Sequence, residues 1–280
     1  MKNLALICLV AASMGSFAVG CASAPEPRTR ELVVVGSDTM VELNRRLAEA
    51  FMRAHPGDTV RVEGGGSGIG IEALVAGRAE IAACSRPLAS AEVAALYERF
   101  ETLGVRFLVA QDALSVYVNQ ANPVRDLGLE QLRGIFSGSI TDWAEVGGTN
   151  GEIVVVVRPP SSGTHRFFRD HVLLGAPYSP RALSIPTTRG ILSAVHDEPR
   201  AIGYGGLAYR RQGVVQISVA GVGPTRDNVR ANAYPLARYL SYYTAKPPHN
   251  LAQRFIDWSL GPQGQRVVAE VGYIPLWERR

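Results

Sequence analysis

Residues 31–53 read ELVVVGSDTMVELNRRLAEAFMR. The β-branched run up to Val35 predicts a short buried strand that stops at Gly36. Beyond Met40, apolar residues recur at Leu43, Leu47, Ala50 and Phe51, the spacing of one helix face, and Ser37 and Asp38 just before them are N-cap residue types. The alternation then repeats. A strand at 59–63 runs into Gly64-Gly65-Gly66-Ser67-Gly68, which opens a helix through Ile71, Leu74 and Val75. A strand at 80–84 is followed by Ser85-Arg86-Pro87 and a helix at 91–100 with Ser90 as its cap. Successive strand–helix units of this kind predict an α/β fold built on a parallel sheet covered by helices.

Working outward, residues 105–118 form an alternating strand long enough to pass from one lobe into another. A second lobe follows: a helix at 129–136, a loop at 137–148 that Asp142 and Trp143 order, and a fully apolar strand at 153–157. That strand enters Arg158-Pro159-Pro160-Ser161-Ser162-Gly163-Thr164 and a helix at 165–174. A short helix at 190–196, a Gly-rich apolar stretch at 201–209 and a strand at 214–219 come next. A second long strand at 234–243 returns to the first lobe, which helices at 251–260 and 263–271 complete. Each lobe is then discontinuous, 31–111 plus 240–280 for one and 112–239 for the other, with two hinge strands between them. A chain of 280 residues that is 46% hydrophobic and 19% charged suits two lobes of about 100–150 residues each.

The start of the chain reads as a targeting segment. Lys2 precedes an apolar run too short to span a bilayer, and Ala18-Val19-Gly20-Cys21 closes it with small residues and a cysteine. Residues 1–20 are expected to be a signal peptide, Cys21 a lipidated N-terminus, and 21–30 a Pro-containing tether, so the protein is lipid-anchored in the cell envelope. With Cys8 in the signal and Cys21 acylated, Cys84 stands alone, and no disulfide is expected. The net charge of +4 is modest and no basic tract appears, which argues against a nucleic-acid partner.

Chemistry concentrates where strands end. Gly36-Ser37-Asp38-Thr39, Gly65-Gly66-Ser67-Gly68 and Ser161-Ser162-Gly163-Thr164 each join a strand tip to a helix start. Each offers backbone N–H groups, a hydroxyl and the positive end of a helix dipole, the features that hold an anion. Arg158, at the end of a buried strand, supplies a guanidinium able to engage two oxygens of a tetrahedral ion, and Arg86 is a second cation. The histidines show no metal-ligand spacing, no cofactor motif is present, and Ser162, His165 and Asp170 are too close along one helix start to converge as a triad. A monomeric binding protein without metal or cofactor is therefore expected, not an enzyme; a phosphohydrolase is the catalytic alternative.

The motifs VVVGSDTM (33–40), GGGSGIG (64–70), AEIAACSRPL (79–88), VVVVRPPSSGTHRFF (154–168), AIGYGGLAY (201–209), YPLARYL (234–240) and GPQGQRVVAEVGYIPL (261–276) together resemble the phosphate-binding subunit of bacterial phosphate ABC importers in its short form. So does LEQLRGIFSGSITDWAEVGG at 129–148. The resemblance implies a type II periplasmic-binding-protein fold, two lobes closing like a Venus flytrap on dehydrated inorganic phosphate, with a permease and an ATPase as partners. It implies Thr39 and Ser67 as ligands from the first lobe and Arg158, Ser162, Gly163 and Thr164 from the second, with Ser85 and Arg86 matching the remaining loop. Longer relatives carry an Asp where Arg86 stands, to accept the proton of hydrogen phosphate. Asp38 is the residue here that could take that role or else cap a helix, which leaves sulfate, molybdate or tungstate as alternative ligands.

Overall fold

The computed structural model describes residues 30–277. The signal segment, Cys21 and the tether up to Thr29 lie outside the described residues, whereas Arg30, expected in the tether, already opens the first strand. Three strand–helix units come first: β1 (Arg30–Gly36) and α1 (Val41–Ala54), β2 (Asp58–Glu63) and α2 (Ser67–Val75), β3 (Ile81–Cys84) and α3 (Ser90–Phe100). Next are β4 (Val105–Asn119), β5 (Asp126–Leu127), α4 (Leu129–Ser137), β6 (Val154–Val157), α5 (Gly163–His171), β7 (Leu183–Ser184), α6 (Thr188–Asp197), β8 (Ala201–Gly206), β9 (Val214–Val219) and α7 (Arg226–Arg230). The chain ends in β10 (Ala237–Thr244), α8 (Asn250–Leu260) and α9 (Pro262–Val271).

One strand organises the molecule. Residues 105–113 of β4 pair antiparallel with β10, while residues 114–118 change partner to β8 and 116–119 also pair with β9. On the first side the order continues β10-β3-β1-β2, with β1 parallel to both β2 and β3. On the second side β8 continues to β6 and β7, all parallel. The sheet is therefore mixed: parallel where helices cross over, antiparallel along the two strands that pass between lobes. The Gly-rich stretch expected only as close-packed backbone is the fully buried strand β8.

The apolar core divides with the sheet. On one side Leu43, Leu47 and Phe51 of α1 pack with Val34, Ile81 and Val109. On the other Leu114 and Val116 pack with Phe136, Phe168 and Tyr204. Trp143, 1% exposed, is drawn into this second cluster, its indole N–H donating to the Arg200 carbonyl at 2.9 Å. Asp142 accepts the Ala144 and Gly151 amides and so closes the loop around it. Among the described residues no helix is long and apolar enough to cross a membrane.

Candidate functional site

Three strand tips of the first lobe lie side by side. The Ser37 amide donates to the Ala83 carbonyl at 2.7 Å, and the Gly66 amide to the Gly36 carbonyl at 2.9 Å. Their side chains meet in turn: Ser37 Oγ donates to Ser85 Oγ at 3.0 Å, and the Ser85 amide donates to Ser67 Oγ at 3.1 Å. All three serines are buried. Ser37 therefore does not cap the helix after it, because its hydroxyl is turned to the neighbouring loop. Ser90 is likewise not a cap; it is the first residue of α3, and Glu92 satisfies the Ala89 amide there at 2.7 Å.

The second lobe contributes the start of α5. Ser162 Oγ accepts the His165 amide at 3.3 Å, so the helix begins at Gly163, two residues earlier than the periodicity suggests, with Gly163 and Thr164 in its first turn. First-turn amides have no partner within a helix and carry its positive end. His165 Nδ1 lies 2.6 Å from the Arg158 carbonyl, which can only accept, so Nδ1 carries the proton. Burial pulls this imidazole below its ordinary range, against that hydrogen bond. Asp170 pairs instead with Arg166 and Arg169, so Ser162, His165 and Asp170 form no relay.

Arg158 is 1% exposed. Its Nη1 donates to Thr188 Oγ1 at 2.8 Å and lies 3.1 Å from Asp38 Oδ2, and its Nη2 donates to the Pro186 carbonyl at 2.8 Å. Nε is buried with no partner among the described residues. The end-on fork is thus engaged by protein, and the side-on edge of Nε and Nη2 is what the guanidinium can present to an oxyanion. Burial lowers its pKa and Asp38 partly offsets this.

The loops from the two lobes touch. Thr39 Oγ1 and Thr164 Oγ1 are 2.8 Å apart, and the Gly68 amide donates to the Ser161 carbonyl at 3.1 Å. Asp38 Oδ2 accepts the Thr188 amide at 2.8 Å, so this carboxylate sits at the start of a helix in the opposite lobe rather than capping its own. Gly66, at φ +132°, faces Ser161 so closely that a β-carbon would lie 2.4 Å from the Ser161 carbonyl oxygen. These contacts link Asp38, Thr39, Ser67, Ser85, Arg158, Ser162, Gly163 and Thr164 across the two lobes, all of them buried except the half-buried Asp38.

Arg86, expected as a ligand, is held within its own lobe through its Nη groups, while its Nε is buried with no partner among the described residues. It grips Glu92 end-on, with both Nη–Oε distances at 2.7 Å, and Nη1 also donates to the Pro87 carbonyl. Glu92 lies six residues on, in the first turn of α3, where it neutralises the guanidinium. Burial opposes the Glu92 charge, but Arg86 and the Ala89 amide outweigh it and hold the carboxyl below its usual range. A carboxyl lowered by folding stabilises the protein above its ordinary pKa and loses that contribution as the pH falls through the lowered value. Thermal melts should therefore lose stability as the pH drops below the ordinary Glu value of 4.5, and Glu92→Gln should flatten that acid arm. An identical acid profile in the variant would mean that the pair carries no such linkage.

Two participants were not foreseen from sequence. Thr188 holds Arg158, and Arg238 on β10 donates from Nη1 to Thr164 Oγ1 at 3.0 Å. A lone charged residue inside a strand rich in aromatic and apolar residues was the available signal for Arg238.

Residues 22–263 match the model of the PBP superfamily domain. The chain belongs to that superfamily. It is 28% identical to the phosphate-binding protein PstS of Pseudomonas aeruginosa, across 98% of this chain and 94% of that one. Against PstS of Bacillus subtilis the identity is 29%, across 100% and 96%. Among solved structures, an ABC-type phosphate transport receptor from Vibrio cholerae is 31% identical with a TM-score of 0.73, covering 87% of this chain and 99% of that one. A Clostridium perfringens protein described as a phosphate ABC transporter substrate-binding protein with bound phosphate is 29% identical, with a TM-score of 0.82 over 89% and 100%. A two-lobed PBP-type fold therefore accounts for this chain over nearly its full length.

Proposed function

We propose that this chain is an extracytoplasmic solute-binding lipoprotein, anchored through Cys21, that captures inorganic phosphate between its lobes for the permease and ATPase of an ABC importer. The observation that carries the reading is the meeting of the Ser67 and Ser85 hydroxyls with the first turn of α5 beside a buried arginine. Hydroxyls, the amides of a helix start and a buried guanidinium are the groups suited to a dehydrated, multiply charged oxyanion. The names and bound ligand of the relatives support phosphate in particular. In this reading residues 31–111 plus 240–280 and residues 112–239 are the lobes, and β4 and β10 are the hinge.

Selectivity over sulfate falls to Asp38 rather than to the loop of Arg86. Its Oδ2 is held by Arg158 and the Thr188 amide; in this reading Oδ1 is the acceptor for the proton of hydrogen phosphate. Sulfate brings no proton at neutral pH and would set two unshared oxygens against each other. Calorimetric titration tests this: phosphate should bind about 100-fold or more tighter than sulfate at neutral pH. Affinities within threefold of each other would remove the phosphate assignment, and no heat with phosphate, sulfate or molybdate would remove oxyanion binding itself.

A further inference from the structure

The two strands that pass between the lobes carry a buried ion pair. Arg238 on β10 stands directly opposite Asp112 on β4, one residue before β4 reaches the last position it pairs with β10. Nε and Nη2 of Arg238 both donate to Asp112 Oδ2, at 2.9 and 2.7 Å. Asp112 Oδ1 accepts the Leu207 amide at 3.0 Å, just past the end of β8. Asp112 is 0% exposed and Arg238 6%. The remaining arm of the guanidinium, Nη1, reaches Thr164 Oγ1 in the first turn of α5, and Cζ lies 5.5 Å from the centroid of the Phe167 ring of the same helix. One side chain thus joins both crossing strands to a loop of the binding site.

A charged donor on Thr164 Oγ1 restricts where that hydroxyl's own proton can go. The guanidinium accepts nothing, so the Thr164 proton is left to acceptors other than Arg238, such as Thr39 Oγ1 at 2.8 Å or a bound oxyanion. The positive charge also strengthens Thr164 as a donor through the shared oxygen. We propose that Arg238, clamped by Asp112 between the two crossing strands, is a positioning residue for the oxyanion site, turning the Thr164 hydroxyl into an oriented donor. This rests on the oxyanion-binding reading above.

The test is phosphate calorimetry on the full-length protein and on Arg238→Lys, Thr164→Val and the double variant. Lysine keeps a cation beside Asp112 but has no fork to serve Asp112 and Thr164 together. Arg238→Lys should weaken binding about 10-fold or more with Thr164 present, and less than about twofold in the Thr164→Val background. Thr164→Ser, which keeps the hydroxyl, should retain full sensitivity to Arg238→Lys. Equal losses in both backgrounds, or wild-type affinity in Arg238→Lys, overturn the proposal. If wild-type protein takes sulfate or molybdate and not phosphate, the cycle is run on that anion: coupling there removes the phosphate assignment and keeps the role of Arg238. Phosphate binding without coupling does the reverse, and a protein that binds none of these anions overturns both. Should Arg238→Lys fail to fold by circular dichroism, Asp112→Asn with Arg238→Gln replaces it in the same cycle, with the same expected outcomes. That pair leaves no uncompensated buried charge.

Discussion

Arg158→Ala is expected to weaken phosphate binding by about 30-fold to 1000-fold, from the roughly 2–4 kcal/mol that a charge-assisted, two-point contact contributes in a dry site. The side chain is almost wholly buried, so water cannot replace it without entering the region between the lobes. Truncation would act twice. A bound dianion would lose the edge formed by Nε and Nη2, and Asp38 would lose its cation across the cleft. An unpaired Asp38 carboxylate would then repel the same dianion. Arg158→Lys should fall between, because an ammonium keeps the charge but cannot serve Thr188, Pro186 and Asp38 together while offering a planar edge. The control is Asp38→Asn with Arg158→Ala: if repulsion contributes, the double variant should bind phosphate better than Arg158→Ala alone. Calorimetry showing a change below threefold for Arg158→Ala would mean that Arg158 is not a ligand.

The strand–helix units were legible because local signals agreed with one another. The β-branched run before Gly36 becomes β1, and the Leu43, Leu47 and Phe51 face of α1 is buried. The long strand at 105–118 was readable as a crossing element because of its length, and β4 does change partner midway. Strands that lean on tertiary context were not readable. β5 and β7 are only two residues each, and β8 replaces side-chain packing with glycines that let Tyr117 and Thr188 approach. At the site, hydroxyls and glycines were recognisable because their chemistry is local to each loop. The charges were harder, since a guanidinium reaches far from its own backbone. Nothing around Arg86 says whether it turns inward or grips Glu92, and the mate of Asp112 lies 126 residues away. Long-range charge pairing is a property of strand register, and register becomes visible only once the sheet is assembled.

Gly163→Ala should abolish tight phosphate binding, with a loss of about 100-fold or more, while leaving the melting temperature measured without phosphate nearly unchanged. A β-carbon at this position would lie 2.1 Å from Ser67 Oγ, 2.6 Å from Ser85 Oγ and 2.8 Å from Ser67 Cβ. Rotating the Ser67 hydroxyl would relieve the first contact but not the last. It would also give up the hydrogen bond from the Ser85 amide. The remaining relief is to part the lobes, which moves the helix start of α5 away from the hydroxyls that would share its ligand. Within its own lobe the change is mild, because alanine is a better helix residue than glycine and position 163 has ordinary helical backbone. The expected pattern, a stable protein that cannot close, therefore separates this variant from one that simply unfolds. Gly68→Ala tests the geometry from the facing side: its β-carbon would lie 3.4 Å from the Ser161 carbonyl oxygen, close to ordinary contact, and the loss should be far smaller. Small-angle scattering with phosphate present should show the wild-type radius of gyration contracting and the Gly163→Ala radius unchanged. Equal contraction and equal affinity in the two proteins would mean that the first turn of α5 does not meet Ser67 and Ser85 in the ligand-bound state.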